Sequence, residues 1–327
     1  MHTKTDLILH QQRLAQTILE RAGMLNCKSV STPICTKGPN YSSNSTNFSN
    51  PLLYRQLVRS LQYLTLTRPD IAYAVNRACQ FMHKPTDQHF HALKCILRFI
   101  KGSQNTCFPL TCQSLKLTSY VDSDWAGDYK DQKSTTGYCT FLGSSIVSWS
   151  IKKQTTIARS SIEAEYRALA SAATYIIWSQ QLLQELGYPQ KEPRKLFCDN
   201  ISAIALANNS VFHARTKQIE VDCHYTWECI KNNTIQVHHI SSKDQIAYLF
   251  TKALLTARFW HLSNKLISDV AYQFARIWIR SISSIEEGLG VCTFSIVHQL
   301  AYEEESLCIR TSYGLLDSNS AQTRVIG

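Results

Sequence analysis

The chain has 327 residues, 44% of them hydrophobic, and a formal net charge of +10 at pH 7. That is enough chain for two modest domains with real cores, and the positive balance favours a polyanionic partner such as nucleic acid. No run of about 20 apolar residues exists to span a bilayer, and the opening residues Met1 to Asp6 lack the apolar stretch of a secretory leader. The twelve cysteines show no Cys-x-x-Cys pairing. In a chain too long to need disulfide staples, they are expected to be reduced thiols of an intracellular protein.

The first region is expected to be mostly α. Residues 7–22 read as a helix with Leu7, Leu14, Ile18 and Leu19 on its apolar face and Gly23 as its stop. Residues 29–51, rich in Ser, Thr, Asn and Pro, read as a loop or linker. Tyr54, Leu57, Val58 and Leu61 then repeat at helix spacing. Pro69 and Asp70 suit a first helical turn, and Ile71, Ala74, Val75 and Ala78 continue the stripe. Thr86 can cap a third helix that places Leu93, Ile96, Leu97 and Ile100 inside and ends at Gly102.

Near residue 115 the period changes. Leu115 to Val121 alternates as a strand does, and Gly137 to Leu142 and Ile146 to Trp149 suggest two more strands joined by a tight turn at Gly143-Ser144. A long helix follows from about Ser161 to Leu186, stopping at Gly187. Lys195 to Cys198 reads as a short strand, with a helix after it through Ala203 and Leu206. A further helix over 219–231, a strand at 234–240 and a helix at 244–254 complete an α/β order that implies a mixed sheet. Residues 268–327 have weak patterning and no assigned element.

Phosphodiester hydrolysis with two metal ions needs several carboxylates converging on one point, because Mg²⁺ prefers hard oxygen ligands. Asp122 and Asp199 each stand where a strand ends. Both also fit the bland reading of a turn or helix-cap aspartate. The long helix discriminates between its two acids, because Glu163 and Glu165 are about 200° apart around it. Glu165 shares a face with Leu169, Ala172, Ala173 and Ile176, the stripe that should pack on the sheet. Glu163 shares a face with Arg167 in a surface i,i+4 pair. A carboxylate at the start of a buried stripe is costly unless it binds something, so Glu165 is the expected ligand.

These residues stand in a longer pattern. The segments Tyr120-Val-Asp-Ser-Asp-Trp-Ala-Gly-Asp128, Lys133-Ser-Thr-Thr-Gly-Tyr138, Ser148-Trp-Ser-Ile-Lys-Lys-Gln154, Ser160-Ser-Ile-Glu-Ala-Glu-Tyr-Arg-Ala-Leu169, Cys198-Asp-Asn200 and Asp244-Gln-Ile-Ala-Tyr-Leu-Phe-Thr-Lys252 are collinear. Together they resemble the ribonuclease H domain of a copia-type retrotransposon Pol polyprotein. Tyr54-Arg-Gln-Leu-Val-Arg-Ser-Leu-Gln-Tyr63 and Thr67-Arg-Pro-Asp-Ile-Ala72 resemble the segment leading into it from the reverse transcriptase, and the likeness covers roughly residues 7–265.

The resemblance implies a ribonuclease H-like, mixed five-stranded sheet flanked by helices over 115–265. It implies a thumb/connection-like remnant of reverse transcriptase over 1–104, and it leaves 266–327 as an unassigned tail. It also implies Mg²⁺- or Mn²⁺-dependent hydrolysis of the RNA strand of an RNA–DNA hybrid, with Asp122, Glu165 and Asp199 as catalytic metal ligands. The implied partners are nucleic acid and the remaining Pol or reverse transcriptase segments, with no membrane. The implied location is cytoplasmic, in a virus-like particle, or nuclear.

Three departures qualify that picture. The family's fourth metal-binding acid is replaced by Tyr248, leaving Asp244 as a conceivable substitute one helical turn earlier. Ile162 stands where a helix-capping Thr is usual. The Tyr-x-Asp-Asp of a polymerase is missing, so no polymerase activity is expected. The alternative reading is a catalytically degenerate retroelement fragment that only binds nucleic acid.

His213, Cys223, His224, Cys229, His238 and His239 lack the spacing of a paired zinc site. His238 and His239 read as ordinary strand residues or as proton donors to a leaving group. Lys152, Lys153, Arg159, Arg167, Arg215 and Lys217 form a candidate phosphate-contacting cluster. Trp125, Trp149 and Trp178 are expected in the core, and Asp128 and Asp131 in solvent.

Overall fold

Left-handed backbone at Gly143 (φ +63°) turns the chain between strands β4 (Thr135–Leu142) and β5 (Ser145–Lys153). A Cβ there would meet the Ser114 carbonyl oxygen at 2.4 Å, so the turn needs glycine. The hairpin adds to β3 (Leu117–Asp124), which pairs antiparallel with β4 and parallel with β6 (Arg194–Cys198). Beyond β6 lies β7 (Ile235–His239), again parallel, giving the strand order β5-β4-β3-β6-β7. This is the mixed five-stranded sheet expected from the sequence, and β3 is its centre. The computed structural model describes residues 6–34, 46–111, 114–128, 131–190, 192–208 and 220–269.

Helix α5 (Ser161–Glu185) covers one face of this sheet, with α6 (Ile201–Asn208) and α7 (Glu220–Lys231) beside it. Its stripe Ala168, Leu169, Ala172, Ala173 and Ile176 is buried against Leu117, Val121, Leu196 and Ile235. Ser160 caps the helix by accepting the Glu163 N–H at 3.2 Å. The cap therefore survives Ile162, which packs on the core instead.

The other face meets the helical region: α1 (Gln12–Arg21), α2 (Pro51–Leu64), α3 (Ala72–Cys79) and α4 (Asp87–Gly102). One buried cluster joins Leu19, Tyr54, Leu61, Val75 and Leu97 to Cys139, Phe141 and Ile146 of the sheet. Thr86 and His89 form a capping box at the start of α4. Before α3 a 3-10 turn, Pro69–Ile71, is clamped to the end of α4. There Arg68 forks onto both Asp70 oxygens at 2.9 and 2.8 Å and reaches the Ser103 carbonyl oxygen at 2.9 Å. Among the described residues no helix is long and apolar enough to cross a membrane.

Several expectations are corrected. Residues 6–9 are not helical: Asp6–Leu9 is a strand, β1, antiparallel to β2 (Thr106–Thr111), and α1 starts at Gln12. The apolar run Leu-Ile-Leu has no period of its own, and the partner that decides it lies some hundred residues on. The expected helix over 244–254 is a 3-10 turn, Ile246–Phe250, all five of whose side chains are buried. A segment with no polar face cannot lie on the surface as a regular helix, and the chain restarts as α8 (Thr256–Ser263). Trp125 and Trp178 are 48% and 53% exposed, while Trp149 alone of the three packs against the core. Cys95 is disulfide-bonded, whereas Cys27, Cys79, Cys107, Cys139, Cys198 and Cys229 are free thiols.

Candidate carboxylate site

β3 carries Asp122 opposite Gly137 of β4. A Cβ on Gly137 would lie 2.6 Å from Thr251 Cγ2 and 2.9 Å from Phe250 Cβ. Glycine therefore lets the segment after β7 press against the sheet beside Asp122. Gln245 anchors that segment by donating to the Val121 carbonyl oxygen at 3.0 Å. The Asp122 carboxylate is fully buried, and both its oxygens are engaged. Lys252 Nζ lies 3.1 Å from Oδ1, and the Thr251 hydroxyl donates to Oδ2.

Glu165, in the first turns of α5, is 6% exposed, and the Ser123 backbone N–H donates to it. Asp199, just beyond β6, accepts hydrogen bonds from the Tyr248 hydroxyl at 2.5 Å and the Ser242 hydroxyl at 2.9 Å. Glu165, Cys198 and Asp199 present ligand atoms within 4.8 Å of one another, the one such group among the described residues. Asp122 stands outside that group, held by Lys252 and Thr251.

The electrostatics follow from this crowding. Burial, then the Asp122 and Asp199 charges, push the Glu165 carboxyl up to about 9. Burial also raises Asp122, against the pull of Lys252 and Thr251, and raises Asp124, where Lys252 again opposes it. The Cys198 thiol is pushed up by burial and by Glu165 and stays protonated; its Sγ lies 4.0 Å from Glu165 Oε2. Burial works against the charge on Lys252, but Asp122, Tyr248 and Glu165 together outweigh it and its pKa rises. Tyr248 is likewise raised, by burial and by its hydrogen bond to Asp199.

Tyr248 occupies the place expected of a fourth acid, and it donates where an acid would accept. Lys252 Nζ sits 3.7 Å and the Arg258 guanidinium 4.8 Å from the centre of its ring. Asp244 does not replace the missing acid. It precedes the 3-10 turn, is exposed, and pairs with Lys265 at 3.3 Å and His261 at 3.6 Å. Glu163 lies away from the carboxylates, bound to Arg167 at 2.6 Å and to the Arg159 N–H at 2.8 Å, but the pair is not the solvated one expected: its side chains are only 12% and 14% exposed.

The basic cluster is partly committed elsewhere. Lys153 is pinned by Asp128 and Asp131 at 2.5 and 2.9 Å, so those acids are not simply solvated. Arg167 is held by Glu163. Lys152 and Arg159 are exposed. Of the histidine–cysteine set, Cys229 is buried in the core with α5, and the His238 ring lies tilted against Phe197 with centroids 5.7 Å apart. The side chains of His213, Cys223, His224, Arg215 and Lys217 lie outside the described residues.

Sequence reasoning missed Cys198, Ser242, Thr251 and Lys252 as parts of the site. The available signal was that Cys198 begins, and Thr251 and Lys252 end, motifs already singled out.

No protein-family model matches the chain. Over 261 residues, 80% of the chain, it is 42% identical to the retrovirus-related Pol polyprotein from transposon RE2 of Arabidopsis thaliana. It is 36% identical over 265 residues to the Pol polyprotein from transposon TNT 1-94 of Nicotiana tabacum. The chain belongs to the retrovirus-related transposon Pol family. It spans 18% and 20% of the length of those two relatives. Among solved structures, the Pol segment is similar to the N-terminal RNase H domain of rv2228c from Mycobacterium tuberculosis, solved as a fusion with maltose binding protein. That likeness covers 46% of this chain and 98% of that one, at 12% identity and a TM-score of 0.30. Strand order, strand direction and the helices on the sheet faces make this an α/β fold with a mixed five-stranded sheet.

Proposed function

We propose that this Pol segment is a copia-type ribonuclease H that hydrolyses the RNA strand of RNA–DNA hybrids, with Mg²⁺ or Mn²⁺ held by Asp122, Glu165 and Asp199. The observation that carries the reading is the crowding of buried carboxyls, with Glu165 pushed up to about 9. Hard oxygen donors that repel one another are the donor set a divalent cation fits. When bound, such a cation supplies charge neutralisation and a more acidic water.

The chain's own residues do the rest. The end of β3 and the start of α5 fix Asp122 and Glu165 on rigid elements. Tyr248 and Ser242 fix the orientation of Asp199. The +10 charge attracts the polyanion, and hybrid recognition would rest on groove shape and 2′-hydroxyls. On this reading residues 1–104 derive from the end of a reverse transcriptase, other Pol segments supply polymerisation, and the protein works in a cytoplasmic virus-like particle or the nucleus.

A second reading, a silent nucleic-acid-binding relic, is favoured by Tyr248, which donates to Asp199 where a fourth acid would bind metal. The deciding experiment is cleavage of a labelled RNA–DNA hybrid with Mg²⁺ or Mn²⁺ by the unmodified chain, Tyr248→Asp and Asp199→Asn. Cleavage lost in Asp199→Asn supports a working nuclease. Silence relieved by Tyr248→Asp supports an intact site with one ligand missing. Silence of all three, folded, sinks the catalytic reading.

A further inference from the structure

The turn after β7 presents three side chains to the carboxylates. Lys252 Nζ lies 3.1 Å from Asp122 Oδ1, the Thr251 hydroxyl donates to Asp122 Oδ2, and the Tyr248 hydroxyl donates to Asp199 at 2.5 Å. The three belong together, since Nζ also sits 3.7 Å over the Tyr248 ring. The Asp122 side chain is 1% exposed, so the ammonium covers it at close range. Lys252 also acts on Asp124 and Glu165, opposing the rise in the pKa of each. Positive charge is thus already present beside the acidic cluster: Lys252 in direct contact with Asp122, and Arg77 acting on Asp124.

We propose that Lys252 is a built-in counter-ion of this site and competes with a divalent cation for Asp122, with Tyr248 closing Asp199 alongside it. The inference rests on the reading that Asp122, Glu165 and Asp199 form a cation site, and it adds what regulates occupancy. An ammonium and a divalent cation sharing one carboxylate repel each other strongly at low dielectric. Cation binding therefore requires Lys252 to swing outward, which its 32% exposure allows. Lys252 is a positioning residue here. It holds Asp122 in place without metal, and it sets the cation concentration at which the site fills.

The test is Mn²⁺ titration of the full chain by calorimetry, for the unmodified protein, Lys252→Met, Lys252→Arg, Tyr248→Asp and Asp199→Asn. We expect Lys252→Met to bind Mn²⁺ about tenfold tighter or more, as loss of one close positive charge requires. Lys252→Arg should stay near the unmodified protein. Equal or weaker binding by Lys252→Met, with Tyr248→Asp still binding, overturns the proposal and leaves the cation site standing. Absence of Mn²⁺ binding in every variant removes the cation site itself and the proposal with it.

Should Lys252→Met not fold, the unmodified chain still decides. Labelling of Lys252 by an amine reagent, read by mass spectrometry, should rise several-fold at saturating Mn²⁺ as the ammonium is released. Unchanged labelling overturns the proposal.

Discussion

Two charge systems within this fold, whose members Asp70 and Lys252 line one small cavity, are built to opposite rules. In the helical layer, Arg68 and Asp70 are 3% and 2% exposed, and every fork of the guanidinium is met by Asp70 or Ser103. One cation faces one anion, and their hydrogen bonds close on protein groups. At the end of β3, Asp122, Asp124, Glu165 and Asp199 crowd together, with Lys252 the cation in direct contact with Asp122. The first system is paired; the second keeps an excess of one sign and perturbed protonation, the pattern expected of charges that serve a ligand.

The sharpest way to break that comparison is to remove one member of the balanced pair. Arg68→Met leaves the Asp70 carboxylate buried without its partner and should cost about 3–5 kcal/mol, read from urea denaturation midpoints. A loss under about 1 kcal/mol would mean that water reaches Asp70 and that the pair is not structural.

Next comes the glycine that lets the turn after β7 approach Asp122. Gly137→Ala drives a methyl into Thr251 and Phe250, and we expect about 1–3 kcal/mol of destabilisation. Mn²⁺ affinity should change as well, because Thr251 is tied to Asp122. A neutral Gly137→Ala would show that the contact yields easily.

Third, the overcrowded site should show in the pH dependence. The folded pKa of Glu165, about 9, lies above the ordinary glutamate value of 4.5. The folded state therefore binds the extra proton between those values, and stability falls as pH rises through that window. Glu165→Gln removes this dependence. Its melting temperature should exceed that of the unmodified chain at pH 8 by a few degrees, about 2–4 °C for each kcal/mol relieved. The two should converge near pH 5. Parallel curves would mean that Glu165 is ionised in the fold without cost.

The smallest effect is expected at Asp244, whose exposed pairing with Lys265 lies away from the carboxylates. Asp244→Asn should leave hybrid cleavage and Mn²⁺ affinity unchanged. A loss of Mn²⁺ affinity would restore Asp244 as a substitute ligand.

Much of the fold was legible because its signals are local. The Thr86 cap, the turn at Gly143 and the stripe of α5 depend on residues within a few positions of one another. The choice of Glu165 over Glu163 followed from the same helical period. Other features were hidden because their causes are distant. β1 is a strand only because β2 supplies its ladder, and Trp125 and Trp178 stay exposed because the core is filled by other residues. Where the apolar period runs out, as in Ile246–Phe250, periodicity has nothing to read.

By itself the sequence determined the α/β order and the family, and it singled out the three acids as candidates, since residue type and spacing set which faces are buried and where strands end. Only the tertiary structure decided what those acids touch. Thr251 and Lys252 reach Asp122 across 129 and 130 residues, and Tyr248 reaches Asp199 across 49. Those contacts exist because a glycine on β4 admits a buried turn, a packing relation that no local pattern encodes.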